Sequence, residues 1–315
     1  MHVLAVLAAA VLFGTTGTSQ ALGPGDTTPL SIGVMRMVIG GTGLALLAGV
    51  LARRHARRRP VDAPPPPRLR TRPLLLMTVT GVCLALYQPL FFLGTERNGV
   101  AVGTVVALGS APVMAGLLEW LLTRRLPTAT WALATGAATV GVLLLGIGGG
   151  DVGGGVGGSG GTDAVGLLGS LGAAASFAVI ANVQRTLLDS GWDPFTVVAG
   201  MGASAALVSF PALPFVDVSW LGEPVGLAMA LWLGLGTISI AYVLFTWGLG
   251  GLTAATAATL TLGEPLTAAI LGLTLLGERL SALAVVGLVV LGIGLALLAR
   301  GSRAPRDPRP FAVEG

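Results

Sequence analysis

Residues 225–248 read VGLAMALWLGLGTISIAYVLFTWG, and residues 253–276 read TAATAATLTLGEPLTAAILGLTLL. The first stretch carries no charged side chain and the second only Glu264. A helix of roughly 20 apolar residues crosses the hydrocarbon core of a bilayer, so each stretch predicts one crossing. The few residues between them allow only a tight reversal. Working outward, runs of the same kind recur at 3–22, 31–51, 73–93, 99–122, 129–148, 163–184 and 194–214, with a last one at 281–299. The count is ten, and the shortest joints fall at 94–99 and 249–253. A cleavable signal peptide is the other reading of the first run, since Ser19-Gln20-Ala21 loosely resembles a cleavage site. No basic region precedes that run, and it is longer than a signal core, so it is kept as a span.

Composition demands the same solvent. Of 315 residues, 53% are hydrophobic and 10% charged, with mean hydropathy +0.86. A soluble domain carries about 25% charged residues to cover its surface, which this chain lacks. The 49 glycines fit helices packed in lipid. The pI near 10.5 does not indicate nucleic acid: the basic residues, all arginine, are not interleaved with aromatics and lie between apolar runs. Richness in Ala, Gly and Pro without lysine is a compositional association with high-GC bacteria. The single Cys83 excludes an intrachain disulfide.

The arginines orient the chain. Connections after even-numbered spans, with the tail, hold Arg53, Arg54, Arg57, Arg58, Arg59, Arg68, Arg70, Arg72, Arg124, Arg125, Arg185, Arg300, Arg303, Arg306 and Arg309. The other side holds Arg97 and Arg279, and Arg36 lies within a span. The positive-inside rule places both termini in the cytoplasm of a multi-pass inner-membrane protein. Segment 53–72, with consecutive Pro64 to Pro67, is expected to be a stiff linker near anionic headgroups. Segment 149–162 has nine glycines in fourteen residues, a flexible external linker at the midpoint, and 301–315 is expected to be a disordered cytoplasmic tail.

The midpoint linker divides two similar halves, 1–148 and 163–300. Ala9-Ala10, Phe13 and Gln20 match Ala173-Ala174, Phe177 and Gln184 at the same spacing. Pro29 matches Pro194, Tyr87 matches Tyr242, and Leu108-Gly109 with Pro112 matches Leu262-Gly263 with Pro265. Arg125-Leu126 matches Arg279-Leu280. Five spans per half give the second copy the opposite orientation. The fold class is therefore all-α integral membrane, ten transmembrane helices as two inverted five-helix repeats, an architecture suited to alternating access.

Residues 237–292 carry the most specific motifs: Thr237 to Tyr242, the Trp247-Gly248-Leu249 turn, Leu262-Gly263-Glu264-Pro265, and Leu276 to Leu280 before a glycine-rich last span. With the repeat, they make the chain resemble the drug/metabolite transporter superfamily, its EamA-like branch above all, over residues 3–299. The first half departs from the pattern: Thr123-Arg124-Arg125-Leu126 stands where the second has Gly-Glu-Arg-Leu, and Ala111-Pro112 where it has Glu-Pro. The resemblance implies a site lined by spans one, three, four, six, eight and nine. It also implies transport of small polar metabolites, amino acids or related compounds among them, with export the commoner direction.

A charge at bilayer centre costs about 2.5–3.5 kcal/mol on insertion scales and needs a partner, a wet cavity or a route out. Glu264, mid-span beside the helix-bending Pro265, is the leading candidate to bind a cationic group or to carry a proton, H+ then being the coupling ion. Its plainer reading is a protonated group bonding two helices. Arg36 either snorkels to the headgroups or serves as counter-ion to an anionic substrate or to Glu264. Glu119 reads as an interfacial ion-pair partner of Arg124 and Arg125. Tyr87, Gln88, Asn182, Gln184, Tyr242 and Trp247 are site candidates by resemblance, against the alternative of interhelical glue or interface anchors. Pro112 and Pro265 are the expected kinks.

Enzyme readings find little footing. The glycines at 148–161 lack the Gly-Lys-Ser/Thr of a phosphate loop, and Gly148 to Asp151 has no helix-borne aspartate partner. His2 and His55 fall outside the runs, so no cofactor or metal is expected in the membrane. A polytopic enzyme or lipid-handling protein, and a non-transporting sensor, are the alternatives to a secondary transporter. Nothing in the sequence fixes the oligomeric state.

Overall fold

A computed structural model describes residues 1–58, 67–125, 127–148 and 163–302. The glycine linker 149–162, the middle of the arginine–proline linker at 59–66, Leu126 and the tail 303–315 lie outside the described residues. The described chain is helical with no strand. Ten spans follow one another: α1 His2–Ala21, α2 Pro29–Arg57, α3 Thr71–Gly99, α4 Val102–Thr123, α5 Ala129–Gly148, α6 Ala164–Asp189, α7 Pro194–Phe215, α8 Pro224–Leu249, α9 Ala254–Leu275 and α10 Ala282–Gly301.

Polar caps written into the sequence start several of these helices. The side chains of Thr28, Asp163, Asp193, Thr253 and Ser281 each accept a hydrogen bond from a first-turn backbone N–H, which satisfies a donor that lipid cannot. Pro29 and Pro194 follow two of these caps, where a missing N–H costs nothing. The α3–α4 joint differs from expectation. Helix α3 runs on through 94–98 to Gly99, whose φ of 79° and ψ of 155° a side chain would resist. Those five residues stay helical because they are held from outside: Gly94 packs on Ser170, and Arg97 and Asn98 bond to Asp163.

Packing crosses the midpoint of the chain throughout. Span α1 lies on α8 and α9, α6 lies on the α3–α4 hairpin, α2 packs on α7 and α8, and α5 on α10. Small side chains fill the centre, with Ala9, Ala174, Ala181, Ala257 and Ala258 fully buried. Large apolar side chains such as Phe245, Leu44 and Met201 share that centre, but many others face outward, Leu168 at 68% and Leu207 at 76% exposure. So much outward-facing apolar surface requires a lipid surround. This is a multi-pass membrane protein.

Span α7 ends in a 3-10 stretch, Phe210–Phe215, and two spans depart from regular helix where they border the centre. Span α8 is π-helical over Trp232–Ile240, and such widened turns recur at functional sites. Span α9 is broken at Thr261 and Leu262 into Ala254–Leu260 and Gly263–Leu275. The break precedes Pro265, which has no N–H to continue the ladder, and the Glu264 N–H turns back to the Thr261 carbonyl at 2.9 Å. The equivalent span α4 stays helical through Pro112.

Candidate functional site

A cavity lies at mid-depth in the bundle, with about 610 Å³ of empty space counting the part open to solvent. Spans α1, α2, α3, α4, α6, α8 and α9 all contribute to its wall. Of the sequence candidates, Arg36, Tyr87, Gln88, Tyr242 and Glu264 meet here. The break in α9 ends just before Glu264, so its side chain leaves the start of a helix toward open space. Gly14 of α1 makes this placement possible, because its missing side chain lets the Glu264 carbonyl approach: a Cβ there would lie 2.6 Å from that oxygen.

The polar groups are arranged unequally. Arg36 is 8% exposed, so it does not snorkel to the headgroups. Its guanidinium is held by neutral acceptors from three spans: Nε donates to Thr237 Oγ1 at 3.1 Å, Nη1 to Gln88 Oε1 at 2.9 Å and Nη2 to Thr16 Oγ1 at 3.3 Å. Thr237 sits in the π-helical stretch of α8. Glu264 shares the cavity and the field of Arg36, yet among the described residues its carboxylate accepts no hydrogen bond and forms no ion pair with Arg36. Aromatic rings complete the wall. Tyr242 meets Phe13 edge-on at 5.3 Å, and Tyr87 and Phe177 line other sides.

Three candidates do not line this cavity: packing has taken the polar groups of Asn182 and Gln184, and Trp247 lies at the bundle end. Asn182 donates to the carbonyls of Ala115 and Ala178, both at 3.0 Å. Gln184 accepts from Thr246 at 2.9 Å and donates to Met201 Sδ. Trp247 stacks on His2 at 4.8 Å, at the end of the bundle that bears both termini. Sequence reasoning assigned no site role to Phe13, Phe177, Thr16, Thr237 or Thr261. The first two carried a usable signal, since they occupy matching positions in the repeat; the threonines did not stand out among many.

At the terminus-bearing end, side-chain hydrogen bonds tie α9 and the α8–α9 turn to the neighbouring spans. The first half of α9, Ala254–Leu260, is wholly buried. Glu119 of α4 accepts from the Ala255 N–H at 2.8 Å, and Trp131 and Thr135 of α5 bond to Thr259 at 3.1 and 2.9 Å. Arg185 donates to the carbonyls of Leu249, Gly250 and Leu252 in the α8–α9 turn. At the opposite end, Arg97 Nη1 pairs with Asp163 at 3.0 Å, while Asn98 and Asp163 exchange two further bonds. The Arg97 guanidinium and the Val165 N–H hold the Asp163 carboxyl below the usual carboxylate range.

Ten apolar spans around a central cavity with two charged side chains define the class as a multi-pass membrane protein with a polar central site. Its sequence matches the EamA-like transporter family over residues 1–147 and 164–300, and the chain belongs to that family. It is 37% identical over 309 residues to the "Uncharacterized transporter YwfM" of Bacillus subtilis (strain 168), an alignment covering 98% of this chain and 96% of that one. A protein crystal structure at 19% identity shares the fold, with a TM-score of 0.74 over 96% of this chain and 97% of the other. The protein is a membrane transporter.

Proposed function

We propose that the chain is a secondary transporter that exports small polar metabolites, amino acids and related compounds among them, by alternating access. One observation carries the reading: the carboxylate of Glu264 faces a mid-bilayer cavity without a hydrogen bond from any described residue. An ion at this depth without a partner is costly unless a cation or a proton meets it during the working cycle. A purely structural glutamate between helices would have been bonded. Glu264 is thus the group that binds a cationic part of the cargo, or exchanges it for H+ as coupling ion.

The packing supports two inverted repeats, 1–148 and 163–300. Exchanging α1 with α6, α2 with α7, α3–α4 with α8–α9 and α5 with α10 turns each main contact into another: α1 on α8–α9 becomes α6 on α3–α4. Halves related in this way can rock about a central site and open to each side in turn. The arginine distribution supports a cytoplasmic position for the terminus-bearing end. On that reading, the hydrogen bonds of Glu119 and Arg185 around α9 close the packing at the cytoplasmic end.

Metabolite profiling of medium and cytoplasm tests the reading, in cells with wild type or Glu264→Gln at matched membrane levels. Compounds should accumulate outside with the wild type and return to background with the variant. Equal export by both would remove Glu264 from the mechanism, and no change in either compartment would remove export.

A further inference from the structure

The function of Arg36 follows from how its donors are used. A guanidinium has five N–H groups and cannot be neutralised at physiological pH. Three are taken by Thr237, Gln88 and Thr16. What remains by count is one N–H on each terminal nitrogen of this cavity-lining side chain, and two such N–H groups can act as a fork. The three acceptors are neutral, so they fix the orientation of the fork without cancelling its charge. They come from α1, α3 and α8, so the fork is set by the whole bundle rather than by one flexible stem.

Two plainer roles fit less well. A snorkelling arginine would reach the headgroups, and Arg36 is 8% exposed. A contact counter-ion to Glu264 would lie against it; the two share the cavity and each other's field but form no ion pair within 4.0 Å. A planar fork of two N–H groups matches the two oxygens of one carboxylate, which binds bidentately and restores the missing countercharge.

We propose that Arg36 is the specificity-determining residue of this cavity, its two unengaged N–H groups receiving the carboxylate of the transported molecule. The assignment rests on the transport reading above and deepens it. With a cationic nitrogen at Glu264 and a carboxylate at Arg36, a small zwitterion leaves neither buried charge unpaired. A simple amine would leave Arg36 uncompensated, and a phosphate dianion would place excess negative charge beside Glu264. The aromatic walls, Phe13, Tyr87, Phe177 and Tyr242, would take the apolar part of the cargo.

The same profiling tests this with Arg36→Gln, Arg36→Lys and the double variant Arg36→Gln/Glu264→Gln, each at matched membrane level and with its melting recorded. Every compound exported by the wild type should carry a carboxylate. Arg36→Gln should lower export of these compounds by at least about tenfold, the size expected for one charged hydrogen-bonded contact. Arg36→Lys should recover part of the loss, because it keeps the charge without the fork. If Arg36→Gln fails to fold, partial activity in a well-folded Arg36→Lys carries the test. Restoration of export in the double variant would overturn the proposal, since only mutual neutralisation of Arg36 and Glu264 explains it. Wild-type export of amines or phosphate esters lacking a carboxylate would overturn it as well. No wild-type export at all would sink the transport reading and this assignment with it, whereas export without carboxylate selectivity sinks this assignment alone.

Discussion

Gly14→Ala is the smallest perturbation that reaches the centre of the site. A Cβ at Gly14 would stand 2.6 Å from the Glu264 carbonyl oxygen and 2.6 Å from Thr267 Cβ, where ordinary contact begins at 3.4 Å. The difference, 3.4 − 2.6 = 0.8 Å, must come from movement of α1 against α9, because the carbonyl belongs to the backbone and cannot rotate away. Overpacking of this kind costs about 1–3 kcal/mol. The same shift displaces Glu264 by more than the roughly 0.5 Å that a preorganised site tolerates. Gly17, one turn on in the same helix, supplies the control, since nothing lies within 4 Å of a Cβ there. Gly17→Ala should be neutral or slightly stabilising, as alanine is the better helix former. Melting of the purified proteins and export at matched membrane levels read both effects. Gly14→Ala should melt lower and should export less per folded molecule. A Gly14→Ala protein that melts and exports like wild type would refute the reasoning, as would equal damage from Gly17→Ala.

Glu119→Ala removes the acceptor of the Ala255 N–H and should cost about 1–3 kcal/mol, read by melting, with Glu119→Gln recovering much of it. Gln184→Leu leaves the buried Thr246 hydroxyl without its acceptor and should lower the melting temperature. Once corrected for protein amount, it should leave cargo selectivity unchanged, because Gln184 lies outside the cavity wall. The bond between Arg97 and Asp163 predicts a sign for acid stability. The folded-state pKa of Asp163 is depressed, so its contribution is complete above the unfolded value of about 3.9 and is lost as pH falls below that through the folded value. Melting between pH 7 and pH 3 should show a smaller acid-induced loss in Asp163→Asn than in wild type.

The ten spans were legible because lipid imposes a length and an apolar composition on every crossing, and caps such as Thr28-Pro29 and Asp193-Pro194 mark where helices begin. Glu264 and Arg36 stood out for the same reason, as charges where charge is expensive. Sequence did not say which buried polar groups were already spent. Asn182 and Gln184 are as polar as Gln88, and only the packing reveals that their partners are Ala115, Ala178, Thr246 and Met201 rather than the cavity. The depth of Arg36 along α2 left snorkelling open, and three acceptors from other spans decide against it. The π-helical stretch of α8 has no local signature either. Its residues suit an α-helix equally well, and the widened turn is read only from the backbone around Thr237. Pro112 and Pro265 look alike in sequence, yet only the span with Pro265 is broken.

Alternating access is tested most directly by asking from which sides the cavity can be reached. Cys83 is the only cysteine, so Leu108→Cys in a Cys83→Ser background places a single thiol on the cavity wall. A membrane-impermeant maleimide applied to right-side-out and to inside-out vesicles reads its exposure to each face. The account predicts labelling from both faces, and a decrease on both when a transported compound occupies the site. Labelling from one face alone, unchanged by any exported compound, would contradict it and leave a one-sided pocket in place of a transport pathway.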